Sequence, residues 1–123
     1  MSRLRLRIDF DDGRALGPGK VRLLELVAQT GSISAAGRAM DMSYRRAWVR
    51  VSAINATFRL PVVATRGGGA GGGGASLTPS GEALVRRYRE MEETARQAVA
   101  GHLAELEQAL APGGTRGGSP PLP

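Results

Sequence analysis

The sequence predicts a mainly α domain that carries a small β hairpin and ends in a long helix. Three observations point to it. Apolar residues recur at spacings of three and four in the segments 18–30, 43–58 and 79–110; two short β-favouring stretches flank a run of glycines; and the first ten residues alternate between apolar and charged. The 123 residues suffice for one small core, and with aromatics at 4% that core has to be built from Leu, Val, Ile, Ala and Met.

At the N-terminus, Leu4, Leu6, Ile8 and Phe10 alternate with Arg3, Arg5, Arg7 and Asp9, the period of a strand with one buried face. The three arginines are then solvated charges on its outer face, and Asp11-Asp12-Gly13 turns the chain. A first helix over 18–30 opens on Pro18, buries Val21, Leu24, Val27 and Ala28, and stops at Gly31. A short second helix, capped by Ser32 or Ser34, runs through Met40; Asp41 and Met42 form the turn, and Ser43 caps a third helix to about Phe58. On that third helix Ala47, Val51, Ile54 and Phe58 form the inward stripe, while Arg45, Val49, Ser52 and Ala56 point the opposite way. Residues 61–65 and 75–77 read as two strands joined by Arg66 and the glycine run 67–74. Thr78-Pro79 then starts a fourth helix, whose stripe of Leu84, Tyr88, Met91, Ala95, Val99, Leu103, Leu106 and Leu110 extends to residue 110 unless Gly101 breaks it. This makes 1–110 one domain, with 79–110 its dimerisation helix, and leaves 111–123 as a Pro/Gly-rich tail expected to be disordered.

Composition removes several classes of chemistry. With no cysteine and one histidine, His102, which reads as a helix-surface residue, the chain offers no thiolate nucleophile, disulfide or recognisable metal set. No cofactor and no catalytic residues are expected. No apolar run approaches the roughly 20 residues of a membrane span, and the first ten residues lack a signal peptide's apolar stretch, so the expected location is the cytoplasm with no membrane partner. The net charge is +6, and it is unevenly placed. Twelve basic residues against five acidic ones precede the glycine run, whereas six acidic against five basic follow from residue 67 on. A polyanion therefore meets the first half of the chain.

A strand, three helices, a hairpin and a final helix, in that order, is a winged helix-turn-helix, and a basic one implies double-stranded DNA as partner. The segment 31–48, ending in Ser43-Tyr44-Arg45-Arg46-Ala47-Trp48, resembles the DNA-binding domain of ModE-type, molybdate-responsive transcriptional regulators. The glycine-rich wing and Leu77-Thr78-Pro79-Ser80-Gly81 match that family too, and the similarity covers about residues 18–95. One departure is Asp41, where many such turns carry Gly; Asp tolerates the left-handed conformation better than most residues. The resemblance implies a homodimeric, sequence-specific transcriptional regulator, possible targets being molybdate transport or molybdoenzyme genes. Full-length members carry a C-terminal oxyanion-binding part that is not found in these 123 residues. The expectation is therefore a regulator without its own molybdate sensor, working with a separate molybdate-binding partner, without an effector, or on an unrelated set of genes.

The residues also point to DNA without the name. An arginine in the first turn of a recognition helix can bond guanine O6 and N7 in a fork, which makes Arg45 the candidate base reader. Tyr44, Arg46 and Arg50 flank it as phosphate or flanking-base contacts, and Ser34 joins this group. Ser43 reads as a cap in preference to a phosphate donor. Trp48, beside the apolar stripe, reads as a core residue in preference to a DNA contact. The glycine run satisfies G-x-G-x-x-G at Gly67, Gly69 and Gly72, but no strand–helix unit surrounds it, so it is a solvated loop or a wing tip. In the second case backbone N–H groups, those of Gly68 and Gly72 among them, approach phosphates while Arg66 grips the minor groove or backbone. Leu84, Tyr88, Met91, Val99, Leu103 and Leu106 are the expected dimer seam. A nonspecific architectural DNA binder is the competing class; a small phosphate-processing enzyme lacks the clustered acid–base groups it needs.

Overall fold

The computed structural model describes residues 2–67 and 74–113. Its elements follow the order β1 (Ile8–Asp9), β2 (Ala15–Leu16), α1 (Pro18–Thr30), α2 (Ile33–Ala39), α3 (Tyr44–Thr57), β3 (Val63–Thr65), β4 (Ala75–Leu77), α4 (Pro79–Ala98) and α5 (Ala100–Gln108). Each strand pair is antiparallel, with Ile8 opposite Leu16 in one and Val63, Ala64 and Thr65 opposite Leu77, Ser76 and Ala75 in the other. This is a winged helix-turn-helix, mainly α with a small β wing.

Local chemistry sets most boundaries. Pro18 opens α1, and Gly31, at φ 72°, closes it with its N–H on the Val27 carbonyl at 2.8 Å. Ser32, not Ser34, caps α2 by accepting from the Ala35 N–H at 3.1 Å. Asp41 takes the left-handed conformation expected of it, φ 57°, in the turn to α3. Ser43 then caps α3 by accepting from the Arg46 N–H at 3.2 Å.

The core lies where α1 meets α2, α3, α4 and β4. Because α1 is covered from several sides its buried face is wider than one stripe: Leu23 and Leu26 join Val21, Leu24 and Val27, while Ala28 is exposed. Ile33, Ala36, Ala47, Val51, Ile54, Val62, Val63 and Ala75 complete the main cluster, and Leu16, Val21 and Tyr88 form a smaller one, with Phe58 and Leu84 packed against both. Gly37 brings α2 and α3 together so closely that a Cβ there would lie 2.7 Å from the Ala47 Cβ.

Three expectations need correction. The N-terminal strand is regular only over two residues, although Leu4, Leu6, Ile8 and Phe10 stay half-buried and the charged residues between them exposed. Side-chain burial has period two along the whole segment, but only Ile8 and Asp9 find a ladder partner. The fourth helix is interrupted at Val99 (φ −103°, ψ 6°), where α4 ends and α5 starts, so no single helix spans 79–110. A β-branched residue two positions before Gly101 makes this the weakest helical stretch of the segment. Finally, Tyr88 is no part of an outward seam: it is buried within its own chain, its hydroxyl donating to the Leu6 carbonyl. Residues 114–123 of the expected tail lie outside the described residues.

Candidate nucleic-acid interface

The α2–turn–α3 unit presents one face of α3 to solvent. Arg45, Val49, Ser52 and Ala56 are all exposed, as the inward stripe of Ala47, Val51 and Ile54 requires. Arg46 is exposed and Arg50 half-buried beside them. Ser43, Arg45, Arg46, Val49 and Arg50 together line a shallow depression of about 300 Å³. Among the described residues none of these three arginines enters an ion pair. Other arginines are neutralised: Arg89 holds Glu25 through Nη2 at 2.7 Å and Nε at 2.9 Å, and also bonds Glu92, while Arg96 pairs with Glu93. The recognition face therefore carries charge that no described carboxylate offsets by direct contact, in a form that can fork onto a base edge or phosphate.

Ser43 uses one lone pair to accept from the Arg46 N–H, and its hydroxyl hydrogen remains able to donate. Ser34, half-buried in the first turn of α2, accepts from Arg38 Nη1 at 2.9 Å. Trp48 is 44% exposed and outside both apolar clusters, so the expectation of a core residue is overturned. Tyr44, Trp48 and Asn55 follow one edge of α3 at spacings of four and seven. Asn55 shows where that edge points. Its Oδ1 accepts from the Val62 and Val63 N–H groups at 2.8 and 3.0 Å and its Nδ2 donates to the Val63 carbonyl at 3.1 Å, so the edge faces the wing. Trp48 and Tyr44 lie on the same edge, closer to the start of the helix, and both are exposed.

The wing is fixed at its root. The Ala75 N–H donates to the Gly31 carbonyl at 2.9 Å, tying β4 to the end of α1, and the Arg66 N–H reaches the Gly74 carbonyl at 2.8 Å. The Arg66 side chain is exposed. Gly68 and Gly72 lie outside the described residues. Sequence reasoning missed Asn55; a helix-interior Asn, a poor helix former, is the signal that could have found it.

Of the expected seam, Leu84 is packed into both clusters, Val99 and Leu103 are half-buried, and Met91 and Leu106 are exposed. Among the described residues no group of three His, Asp or Glu side chains is placed to hold a metal ion, and no helix is long and apolar enough to cross a membrane.

A capped recognition helix with an unneutralised basic face, set beside a rooted hairpin, defines a winged helix-turn-helix DNA-binding domain. Residues 19–82 match the family described as bacterial regulatory helix-turn-helix protein, lysR family, and the chain belongs to it. It is 43% identical to the molybdenum-pterin-binding protein MopB of Rhodobacter capsulatus over 80% of this chain and 35% of that protein. It is 38% identical to the molybdenum transport protein ModE of Azotobacter vinelandii over 72% and 33% respectively. The chain therefore spans about a third of the length of these relatives. The CbnR_DBD-DNA complex shares the fold, with a TM-score of 0.55 at 19% identity, over 72% of this chain and 95% of that one.

Proposed function

We propose that the domain is a sequence-specific transcriptional regulator that binds double-stranded DNA as a homodimer, with α3 in the major groove and the hairpin against the backbone. The observation that carries this reading is the set of Arg45 and Arg46, both exposed, with half-buried Arg50, none of them ion-paired among the described residues, on a helix whose Ala47, Val51 and Ile54 are locked into the core. Arg45 forks onto guanine O6 and N7; Arg46, Arg50, Tyr44 and the Ser34 and Ser43 hydroxyls take phosphates or flanking bases. Arg66 and the backbone of Gly68 and Gly72 hold the strand that passes the wing. The exposed apolar side chains of Met91, Leu106 and Leu110 supply the dimer contact. With DNA as its target the protein works in the cytoplasm, and the relatives' names suggest promoters of molybdenum-related genes.

The test is competition binding on promoter fragments upstream of molybdate-transport and molybdoenzyme genes, with single-base variants of any protected site. Arg45→Ala is expected to lose about 1–3 kcal/mol of discrimination at one base position and little elsewhere. Equal affinity of the parent chain for scrambled DNA would mean a nonspecific architectural binder instead.

A further inference from the structure

We propose that Val49 reads the methyl group of a thymine close to the guanine taken by Arg45; the inference rests on the DNA-binding reading above. Val49 lies four residues beyond Arg45 on the outward face of α3, is 57% exposed and belongs to neither apolar cluster. It is also the one apolar side chain in the depression whose other walls are Ser43, Arg45, Arg46 and Arg50. A site with that lining fits a polyanion carrying a small apolar group at its centre. The base edges of the major groove hold one such group, the C5-methyl of thymine. Four helical residues rise about 6 Å, slightly less than two base-pair steps of roughly 3.4 Å, which puts the thymine one or two base pairs from the guanine. Trp48 and Tyr44 do not compete for this position, because they follow another edge of α3, the one that carries Asn55, and neither lines the depression.

The experiment selects sites for the 123-residue chain from random duplex DNA, then replaces each thymine of the recovered site by deoxyuridine. That exchange removes the methyl and keeps both the pairing and the O4 acceptor. One position in each repeat of the site is expected to lose about fourfold in affinity on replacement, the value of one buried methyl. In Val49→Ala the same replacement should cost less than about twofold, with thermal melting unchanged because the side chain supports no core. Specific binding without a uracil penalty, or with a penalty that persists in Val49→Ala, overturns the role of Val49 and leaves the DNA-binding reading intact. Failure to select any sequence overturns both.

Discussion

Gly37 and Asp41 show how single residues hold the helix-turn-helix at its working angle. A Cβ at Gly37 would come 2.7 Å from the Ala47 Cβ, closer than carbon atoms approach, so α3 can sit against α2 only if that side chain is missing. Gly37→Ala should therefore cost about 1–3 kcal/mol of unfolding free energy, the usual penalty for overpacking. Denaturant melts measure this, and adding Ala47→Gly should recover part of the loss; a Gly37→Ala variant as stable as the parent would contradict the contact. Gly81 is the same kind of position at the wing: a Cβ there would overlap the Val62 carbonyl oxygen, in the first turn of α4. Asp41 works differently, through its backbone, holding φ 57° in the turn that separates the two helices.

At the scale of elements, α4 is docked by two polar ties that titrate in opposite directions. Arg89 on α4 bonds Glu25 on α1, and this contact, ahead of the opposing effect of burial, holds the Glu25 carboxyl below its ordinary value of 4.5. A carboxylate whose pKa is depressed on folding adds stability above its unfolded pKa and loses it as pH falls through the folded one. Glu25→Gln should thus cost about 1 kcal/mol near neutrality, and its melting temperature should converge on that of the parent as pH drops below the ordinary carboxylate range. The Tyr88 phenol is pushed up to about 12 by burial first and by Glu92 second. Here the folded chain holds the proton more tightly than the unfolded one, so stability is full below pH 10 and falls between there and about pH 12. Tyr88→Phe should remove that alkaline slope, as read by unfolding at a series of pH values; a slope that survives would assign it to another group.

For the whole molecule, most of the large apolar residues that the fold leaves uncovered, among the described residues, fall into two groups. Tyr44, Trp48 and Val49 stand on α3, and Leu106 and Leu110, 65% and 71% exposed, stand on and just beyond α5, none of whose residues is buried. If a second copy covers the latter pair in the proposed dimer, Leu106→Glu with Leu110→Glu places charge in an apolar contact and should dissociate it. Sedimentation at micromolar concentration is the measurement. Operator affinity should fall with the dimer, because two sites held in one particle gain an effective concentration that monomers lack. A parent chain that sediments as a monomer while binding its operator fully would refute the seam.

Where structure depends on neighbours along the chain, the sequence alone was sufficient. The limits of α1, the caps at Ser43 and Thr78, the left-handed Asp41 and the hairpin around the glycine run all follow from residues close together in the chain. The basic half and the Arg45 face were legible for the same reason, since a helical stripe points the remaining residues outward. Burial against distant partners was not legible. Trp48 was expected inside and is exposed, because the inward positions of α3 already belong to Ala47, Val51 and Ile54. Tyr88 was expected on an interface and is buried, because the N-terminal segment returns across 82 residues to accept its hydroxyl at Leu6. Asn55 gained its role only when β3 packed beside α3 and left the Val62 and Val63 backbone needing partners. Periodicity orders side chains around one element; which side meets another part of the chain is decided by tertiary packing, where the contacts are far apart in sequence.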